Sequence, residues 1–568
     1  MSDSTPATQP RYLDRLARHP VPVLVLLCLL AWLPGLVALP PLDRDESRFA
    51  QASKQMIESG NYVDIRFSTV PRYNKPVGIY WAQAAATRTF GHPPFNQIWT
   101  YRLPSLLGGI LAVLLTYWSA RAFASRETAL LAGALLALTV ALSAEAQMAT
   151  TDALLLATIV AAQGFLLRTY LFARGRLPSG PTLATALACW ATIGAGVLMK
   201  GPVLLVVVAL TALAICLWDR DWRWLLRLRF AWGIPVALAV VLPWAIAIAF
   251  ASHGAFYQRS LGHDFAAKIL TGQESHGAPP GYYLALFSVT FWPSTLFALP
   301  AIGAAVVQRA QPPFCFLLAW IVPNWLLFEF VPTKLPHYIL PVYPALAMIV
   351  ACWIAGASAI FRWERTLRGI GAAQFMVVAL AAVAGIAILP IELGSSINTV
   401  PTVIATAIFA LAGATIVLTV RCRNPTAAGC ALVAALLLYP LLSAVVAPAL
   451  DPIWMSRTIA AHARADSQRS DPPIILAGYV EPSLVFLLGT DTRLETGKVA
   501  GVTAARQGGI AIVEDRDRKG FLQSLRAAGG KERPIDQVTG IDYSRGKREH
   551  VTFFRIAPAP GDISPPPE

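Results

Sequence analysis

The 568-residue chain is poor in charge, and the charge that it has is unevenly spread. Asp, Glu, Lys and Arg make up 14% of it, against about 25% in an ordinary soluble protein. Only 17 acidic residues and five lysines fall within the first 450 positions. Mean hydropathy is +0.55. These values exclude a single soluble domain, a disordered chain and a disulfide scaffold. They predict a mainly α, polytopic membrane part over 1–450 and a small soluble α/β unit over 451–568.

Several binding signatures are also missing. No two of the seven cysteines have the spacing of metal ligands, and none lies in the C-terminal unit. No Gly-rich loop follows a strand, so we expect no nucleotide-sugar site. The net charge of +14 resides mostly in arginines between apolar segments, which is typical of loops that fix membrane topology. We therefore expect no nucleic-acid partner.

The apolar runs predict about thirteen membrane-spanning helices. Each run is long enough, or nearly so, to cross a bilayer. The predicted starts lie near Val21, Arg102, Ala129, Asp152, Leu183, Pro202, Ala231, Tyr283, Pro313, Tyr338, Gly369, Pro401 and Ala427.

Loops between these runs alternate in character. One set is short and rich in arginine, and the positive-inside rule places it in the cytoplasm; we call its side the arginine face. The other set includes the long loops 40–101 and 251–282 and holds Lys54, Lys75, Lys200, Lys268 and Lys334, the only lysines of the membrane part; we call its side the lysine face. An odd number of spans places the C-terminal unit on the lysine face, which in a bacterial inner membrane is the periplasmic side.

The sequence of the C-terminal unit predicts alternating strands and helices. Strands are predicted over 473–479, 509–513 and 551–556, and helices from Glu481 and over 519–528. The proline-rich end from Pro558 is predicted to be disordered.

Ionisable groups at a hydrocarbon boundary are costly and usually functional, so the lysine face is the predicted site. Its motifs are Asp43-Arg44-Asp45-Glu46-Ser47-Arg48, Asn74-Lys75-Pro76 with Tyr80-Trp81, Thr151-Asp152-Ala153-Leu154, Lys200-Gly201-Pro202, His263-Asp264 with Lys268, and Lys334-Leu335-Pro336-His337-Tyr338.

The order of these motifs, from about Pro41 to Pro344, resembles the bacterial lipid A aminoarabinose transferases. More broadly it is similar to protein O-mannosyltransferase-like membrane glycosyltransferases of the GT-C type. The resemblance implies an inverting enzyme that moves a sugar from a polyprenyl-phosphate donor to lipid A or another periplasmic envelope acceptor.

Residue roles follow from the same resemblance. It implies catalytic carboxylates at Asp45 and Asp152. The donor phosphate is assigned to Arg48, Lys75, Lys268 and Tyr338. Further substrate contacts are assigned to Glu46, Lys200, His263, Asp264, Lys334 and His337.

This sequence departs from the aminoarabinose transferases at two positions. Those enzymes usually carry Glu before the Lys-Pro lysine and Tyr after the arginine of the first motif, where this chain has Asn74 and Phe49. The sugar is therefore left open among aminoarabinose, a neutral hexose, galactosamine and galacturonic acid. A divalent metal ion is also left open, and no other cofactor is implied.

The rival interpretations are a protein O-glycosyltransferase, a transporter or flippase of lipid-linked substrates, and a structural or sensory membrane protein with a periplasmic domain, which would not need the lysines. Transport sites usually lie near the bilayer midplane, and Glu329 is the only acid that the sequence places clearly within a predicted span.

Spacing adds two expectations that do not rest on the resemblance. Asp45 and Arg48 are three apart on a predicted helix that runs to Gly60, so they should share a face. Lys54, further along that helix, is expected on a solvated face.

Overall fold

The computed structural model describes residues 15–260, 278–356, 361–393, 399–468 and 471–559. Within these residues, ten helices are long and apolar enough to cross a membrane. They are Pro20–Ala38, Ile98–Ala120, Asp152–Ala173, Leu183–Lys200, Phe230–Ala251, Pro312–Phe330, Pro336–Ile354, Glu364–Glu392, Val400–Val420 and Asn424–Ala449.

Shorter helices complete the membrane part. Val203–Asp219 and Thr295–Val307 are apolar but shorter, and Arg126–Ala137 and Tyr282–Thr290 cover two more of the predicted starts. Every predicted start thus coincides with a helix, while the number of helices that cross the membrane remains a prediction. Thr139 begins a new helix, Val140–Glu145, because its hydroxyl accepts a hydrogen bond from the N–H of Leu142.

The loop after the first long helix is itself folded. It contains helices Asp45–Ser59 and Gly78–Phe90 and a two-stranded hairpin of β1 (Arg66–Phe67) and β2 (Val70–Pro71). Helix Asp45–Ser59 begins and ends where the sequence predicted. Gly60 ends this helix at a φ of 71°, a backbone conformation that glycine adopts without a steric penalty.

The C-terminal unit is a five-stranded sheet with helices. Its strands are β3 (Ile475–Ala477), β4 (Arg493–Glu495), β5 (Gly509–Glu514), β6 (Lys531–Asp542) and β7 (Lys547–Ala557), in the order β4-β3-β5-β7-β6. β3 is parallel to β4 and β5, while β5–β7 and β7–β6 are antiparallel. Its helices are Met455–Asp466, Pro482–Leu488, Gly497–Gln507 and Asp515–Ala527. The predicted fold class, a mainly helical polytopic membrane protein with a small C-terminal α/β unit, is confirmed.

This unit packs on the folded loop through polar contacts. Gln51 donates to the hydroxyl of Thr490 at 2.8 Å, and that hydroxyl donates to Glu58 at 2.6 Å. Arg44 donates to the carbonyl oxygen of Ser544 at 2.7 Å. Both ends of helix Asp45–Ser59 are therefore held by the C-terminal unit.

Asp43 lies at the centre of this interface. Its carboxylate accepts hydrogen bonds from Ser456 and Ser483, and its backbone N–H donates to the hydroxyl of Tyr543 at 2.7 Å. Burial, reinforced by the negative charge of Glu481, raises the pKa of Asp43 to about 6. The interface therefore favours the protonated form of this carboxyl group.

The stability of the protein should depend on pH through Asp43. A carboxyl group whose pKa is higher in the folded state stabilises fully below its unfolded pKa, and this contribution is lost as the pH rises through the folded value. We expect the wild type to lose at most about 3 kcal/mol between pH 4 and 6.5, and Asp43→Asn to lose less over that range. Thermal unfolding of the purified protein measures this, with the exposed Asp491→Asn as control. Parallel pH profiles for wild type and Asp43→Asn would contradict it.

Candidate functional site

A buried ion pair anchors the first loop. The guanidinium of Arg102 donates to both carboxylate oxygens of Glu46 at 2.8 Å and to the carbonyl oxygens of Leu36, Leu39 and Pro40 at 2.7–2.9 Å. Neither side chain of the pair is more than 1% exposed.

Glu46 has further partners inside the protein. It accepts hydrogen bonds from the N–H groups of Leu42 and Ala149, each at 2.8 Å. Its carboxylate is thus fully engaged in joining three chain segments. We therefore assign Glu46 to anchoring the loop, in place of the substrate contact expected from the resemblance.

Asp45 and Arg48 form a separate pair on the first turn of the same helix. Arg48 Nη1 lies 3.9 Å from Asp45 Oδ1, and the two side chains are 41% and 61% exposed. The expected shared face is confirmed. The exposure leaves both groups accessible to a molecule that approaches from water.

The expectation that Lys54 is solvated is wrong. Its side chain is only 2% exposed, and its ammonium lies 3.4 Å from the carbonyl oxygen of Phe486 and 3.8 Å from Glu58. Burial lowers the pKa of Lys54. The C-terminal unit covers this part of the helix, which the pattern of the helix alone could not reveal.

Asp152 and Lys200 meet where two long helices reach the lysine face. Lys200 Nζ donates to Asp152 Oδ1 at 2.6 Å and lies 5.1 Å from the centre of the Tyr338 ring. Asp152 begins one helix and Lys200 ends another. Gly201 stops the second helix at φ 66° and ψ −140°, a conformation close to the region that only glycine occupies readily.

His337 connects Asp152 to a second carboxylate. Its Nε2 lies 3.7 Å from Asp152 Oδ2, and its Nδ1 lies 3.3 Å from Glu145 Oε1. The hydroxyl of Thr150 donates to Glu145 at 2.6 Å. We call Glu145, Thr150, Asp152, Lys200 and His337 the Asp152 network.

Glu145 was not among the predicted site residues. The residue is buried and lies in an apolar stretch between two predicted spans. An acid in such a stretch was the available signal.

A cavity of about 450 Å³ opens beside this network. Five residues of the predicted site line it: Lys75, Asp152, Lys200, His337 and Tyr338. Gly78, three residues after Lys75, packs closely against the end of helix Leu183–Lys200, because a Cβ on it would lie 2.7 Å from the carbonyl oxygen of Leu198. This close packing brings the loop that carries Lys75 next to the helix that carries Lys200.

Most of the rest of the cavity wall is apolar. It is formed by helices Val203–Asp219, Phe230–Ala251 and Pro312–Phe330, through residues such as Leu205, Val241 and Phe328. A cavity with cationic groups at one end and aliphatic walls beyond suits an amphiphile with an anionic head.

Other predicted site residues lie elsewhere. Lys334 is buried and donates to the carbonyl oxygen of Val331 at 2.8 Å. Asp45, Glu46 and Arg48 are not among the residues that line the cavity. His263, Asp264 and Lys268 lie outside the described residues.

Glu329 has a local structural role. Its carboxylate accepts hydrogen bonds from the N–H groups of Gly281 and Leu284 at 2.9 and 3.0 Å, at the start of helix Tyr282–Thr290. Because these two N–H groups already engage its carboxylate, Glu329 is a poor candidate for a transport residue. In the part of the chain that the structure describes, no group of three or more His, Cys, Asp or Glu side chains is placed to hold a metal ion.

Comparison with solved structures defines the class of fold. The crystal structure of ArnT from Cupriavidus metallidurans bound to undecaprenyl phosphate superposes with a TM-score of 0.74, over 94% of this chain and 97% of that one, at 19% identity. The archaeal oligosaccharyltransferase AglB from Archaeoglobus fulgidus superposes with a TM-score of 0.52 at 12% identity, over 98% of this chain and 75% of that one. The chain has the fold of the GT-C membrane glycosyltransferases.

Sequence comparison is more specific over part of the chain. Residues 24–255 match the model of the dolichyl-phosphate-mannose-protein mannosyltransferase family. The undecaprenyl phosphate-alpha-4-amino-4-deoxy-L-arabinose arabinosyl transferase of Pseudomonas paraeruginosa is 32% identical over 56% of this chain and 57% of its own length. The transferase of the same name from Pectobacterium atrosepticum is 27% identical over 62% and 61%. The resemblance predicted from the motifs is confirmed, over less than two thirds of these relatives' length.

Breaking the Glu46–Arg102 pair should destabilise the protein severely. Arg102→Met leaves a buried carboxylate without its counter-ion, which costs about 3–5 kcal/mol. Arg66→Met, which removes an exposed partner of Asp64 at 3.2 Å, should cost under about 1 kcal/mol.

Thermal unfolding in detergent measures both changes. Adding Glu46→Met to Arg102→Met should recover part of the loss, because no charge then remains buried. An Arg102→Met protein as stable as the Arg66→Met protein would contradict the anchoring role.

Proposed function

We propose that the chain is an inverting glycosyltransferase that moves a sugar from a polyprenyl phosphate to lipid A or another envelope acceptor. The observation that carries this proposal is the cavity in which Lys75, Asp152, Lys200, His337 and Tyr338 meet an apolar wall. The named function of the similar transferases supports it.

The chemistry follows from the groups at the head of the cavity. The acceptor oxygen attacks the anomeric carbon, the bond from that carbon to the phosphate oxygen breaks, and its electron pair stays on the phosphate. The leaving group is then a phosphate dianion, which cations stabilise without protonating it. We assign this role to Lys75, with Lys200 and Tyr338 beside it.

A hydroxyl acceptor also needs a base, whereas a lipid A phosphate is already anionic. We assign the base to Asp45, because its carboxylate is exposed to water and lies 3.9 Å from the guanidinium of Arg48. Asp152 is held by Lys200 and Thr151, so we assign it to positioning Lys200 and His337.

Asn74 bears on the choice of sugar. It lines the cavity next to Lys75 and carries no charge that would attract an amino sugar. We propose that the donor site accepts neutral or acidic sugars at least as well as aminoarabinose.

We also propose the topology. The lysine face, the folded loop 40–101 and the C-terminal unit over 451–568 would lie in the periplasm, and the membrane part over 1–450 in the bacterial inner membrane. The arginines of the opposite loops support this orientation.

Lys75→Ala should weaken binding of undecaprenyl phosphate about tenfold or more, since a hydrogen bond to a charged group contributes about 1.5–3 kcal/mol. Titrating undecaprenyl phosphate into the purified protein and following the bound fraction by native mass spectrometry measures it. The exposed Lys498→Ala is the control. Equal affinity in Lys75→Ala and wild type would place the phosphate elsewhere.

Assays of turnover and of binding should distinguish the roles of Asp45 and Asp152. Asp45→Asn should lower transfer to a hydroxyl acceptor by roughly 10²–10⁴-fold and leave undecaprenyl phosphate binding intact, whereas Asp152→Asn should weaken binding because Lys200 loses its partner. Transfer of radiolabelled sugar from the lipid-linked donor by the purified protein measures turnover, with a hydroxyl acceptor and a lipid A phosphate compared, and the phosphate acceptor should lose much less because it needs no base. Near-normal transfer to the hydroxyl acceptor by a folded Asp45→Asn protein would move the catalytic role to Asp152, and a wild type that transfers no sugar from any of the candidate donors would overturn the function.

A further inference from the structure

A second cavity, of about 320 Å³, lies on the arginine face. Trp118, Phe165, Arg168 and Leu228 line it together with the loop 177–182. Arg168 follows Asp152 by sixteen residues on one helix, so this cavity is about 24 Å from the Asp152 network. It is therefore separate from the site already described.

Of the residues that the structure describes, Arg168 is the only charged group that lines this cavity. One nitrogen donates to the carbonyl oxygen of Trp118 at 2.6 Å, and the guanidinium lies 4.3 Å from the centre of the Trp118 ring. Its Nε is buried without a hydrogen-bond partner. Among the described residues, no carboxylate lies within 4.0 Å of this side chain.

A neighbouring arginine, in contrast, is paired with a carboxylate. Arg174, on the same helix end, is ion-paired with Asp219, which also accepts a 2.7 Å hydrogen bond from Tyr170. A partly buried cation with no counter-ion is costly. Among the described residues no acid neutralises Arg168, which leaves its guanidinium open to an anionic ligand.

The opposite wall adds a second attraction for an anion. Thr182 caps the N-terminus of helix Leu183–Lys200, and its hydroxyl accepts a hydrogen bond from the N–H of Thr185 at 3.2 Å. The N-terminus of an 18-residue helix presents a partial positive charge. Arg168 and this helix end line the same cavity.

We propose that this cavity binds the phosphate headgroup of an anionic phospholipid from the adjacent leaflet. The guanidinium, which has no carboxylate partner among the described residues, and the helix N-terminus suit the phosphate, while Trp118, Phe165 and Leu228 suit the glycerol and the first acyl carbons. Basic pockets between membrane helices on the cytoplasmic side hold anionic lipid headgroups in general. The proposal does not depend on the transferase reaction.

The test uses the purified full-length protein and phosphatidylglycerol as the probe. Native mass spectrometry should show retention of phosphatidylglycerol about tenfold weaker in Arg168→Gln than in wild type, because charge-assisted hydrogen bonds are lost. Arg176→Gln, an exposed arginine at the same face, should retain the lipid as the wild type does.

A second measurement needs no variant. A ligand that binds only the folded state raises its thermal stability, so the wild type should melt at a higher temperature with phosphatidylglycerol than with phosphatidylethanolamine. Equal melting in both lipids, or equal retention by Arg168→Gln and Arg176→Gln, would overturn the proposal. Displacement of phosphatidylglycerol by an equal concentration of inorganic phosphate would also overturn it, since the site would then take a free anion.

Discussion

The buried pair of Glu46 and Arg102 is the constraint on which the lysine face depends. Its hydrogen bonds join the end of the first long helix, the start of helix Asp45–Ser59 and the backbone at Ala149, just before Asp152. Neither side chain can leave the pair without a large cost in stability, because the remaining charge would be buried without compensation. The pair thereby holds the helix that carries Asp45 and the helix that begins at Asp152 in fixed positions relative to each other.

The C-terminal unit holds the same helix from its other side. Asp43, Gln51 and Lys54 all contact residues beyond 450, and Lys54 is covered by Phe486. Helix Asp45–Ser59 thus lies between the membrane part and the C-terminal unit. The C-terminal unit in this position has a clear physical role: it keeps in place a polar helix that membrane packing alone would not stabilise.

Local sequence patterns predicted the membrane helices, including the separate starts near Leu183 and Pro202, and the helix that begins at Asp45, since each depends on neighbouring residues. The strand β6 was not foreseen, because it is an edge strand with charged residues and a proline. The pairing of Glu145 with His337 could not be inferred either, since 192 positions separate the two residues. The burial of Lys54 depends on a unit more than 400 residues away.

The two cavities carry different cations, lysine in the cavity on the lysine face and arginine in the cavity on the arginine face. Helices Asp152–Ala173 and Leu183–Lys200 run between them, with a compact ammonium at one end and a guanidinium at the other. An ammonium acts as a point charge on a long flexible stem, which suits a phosphate that must bind and then depart with its charge increased. A guanidinium is planar and stacks on aromatic rings, as Arg168 does on Trp118, which suits a headgroup that stays. The choice of cation at each end therefore matches the two proposed ligands, a transient anion on the lysine face and a resident one on the arginine face.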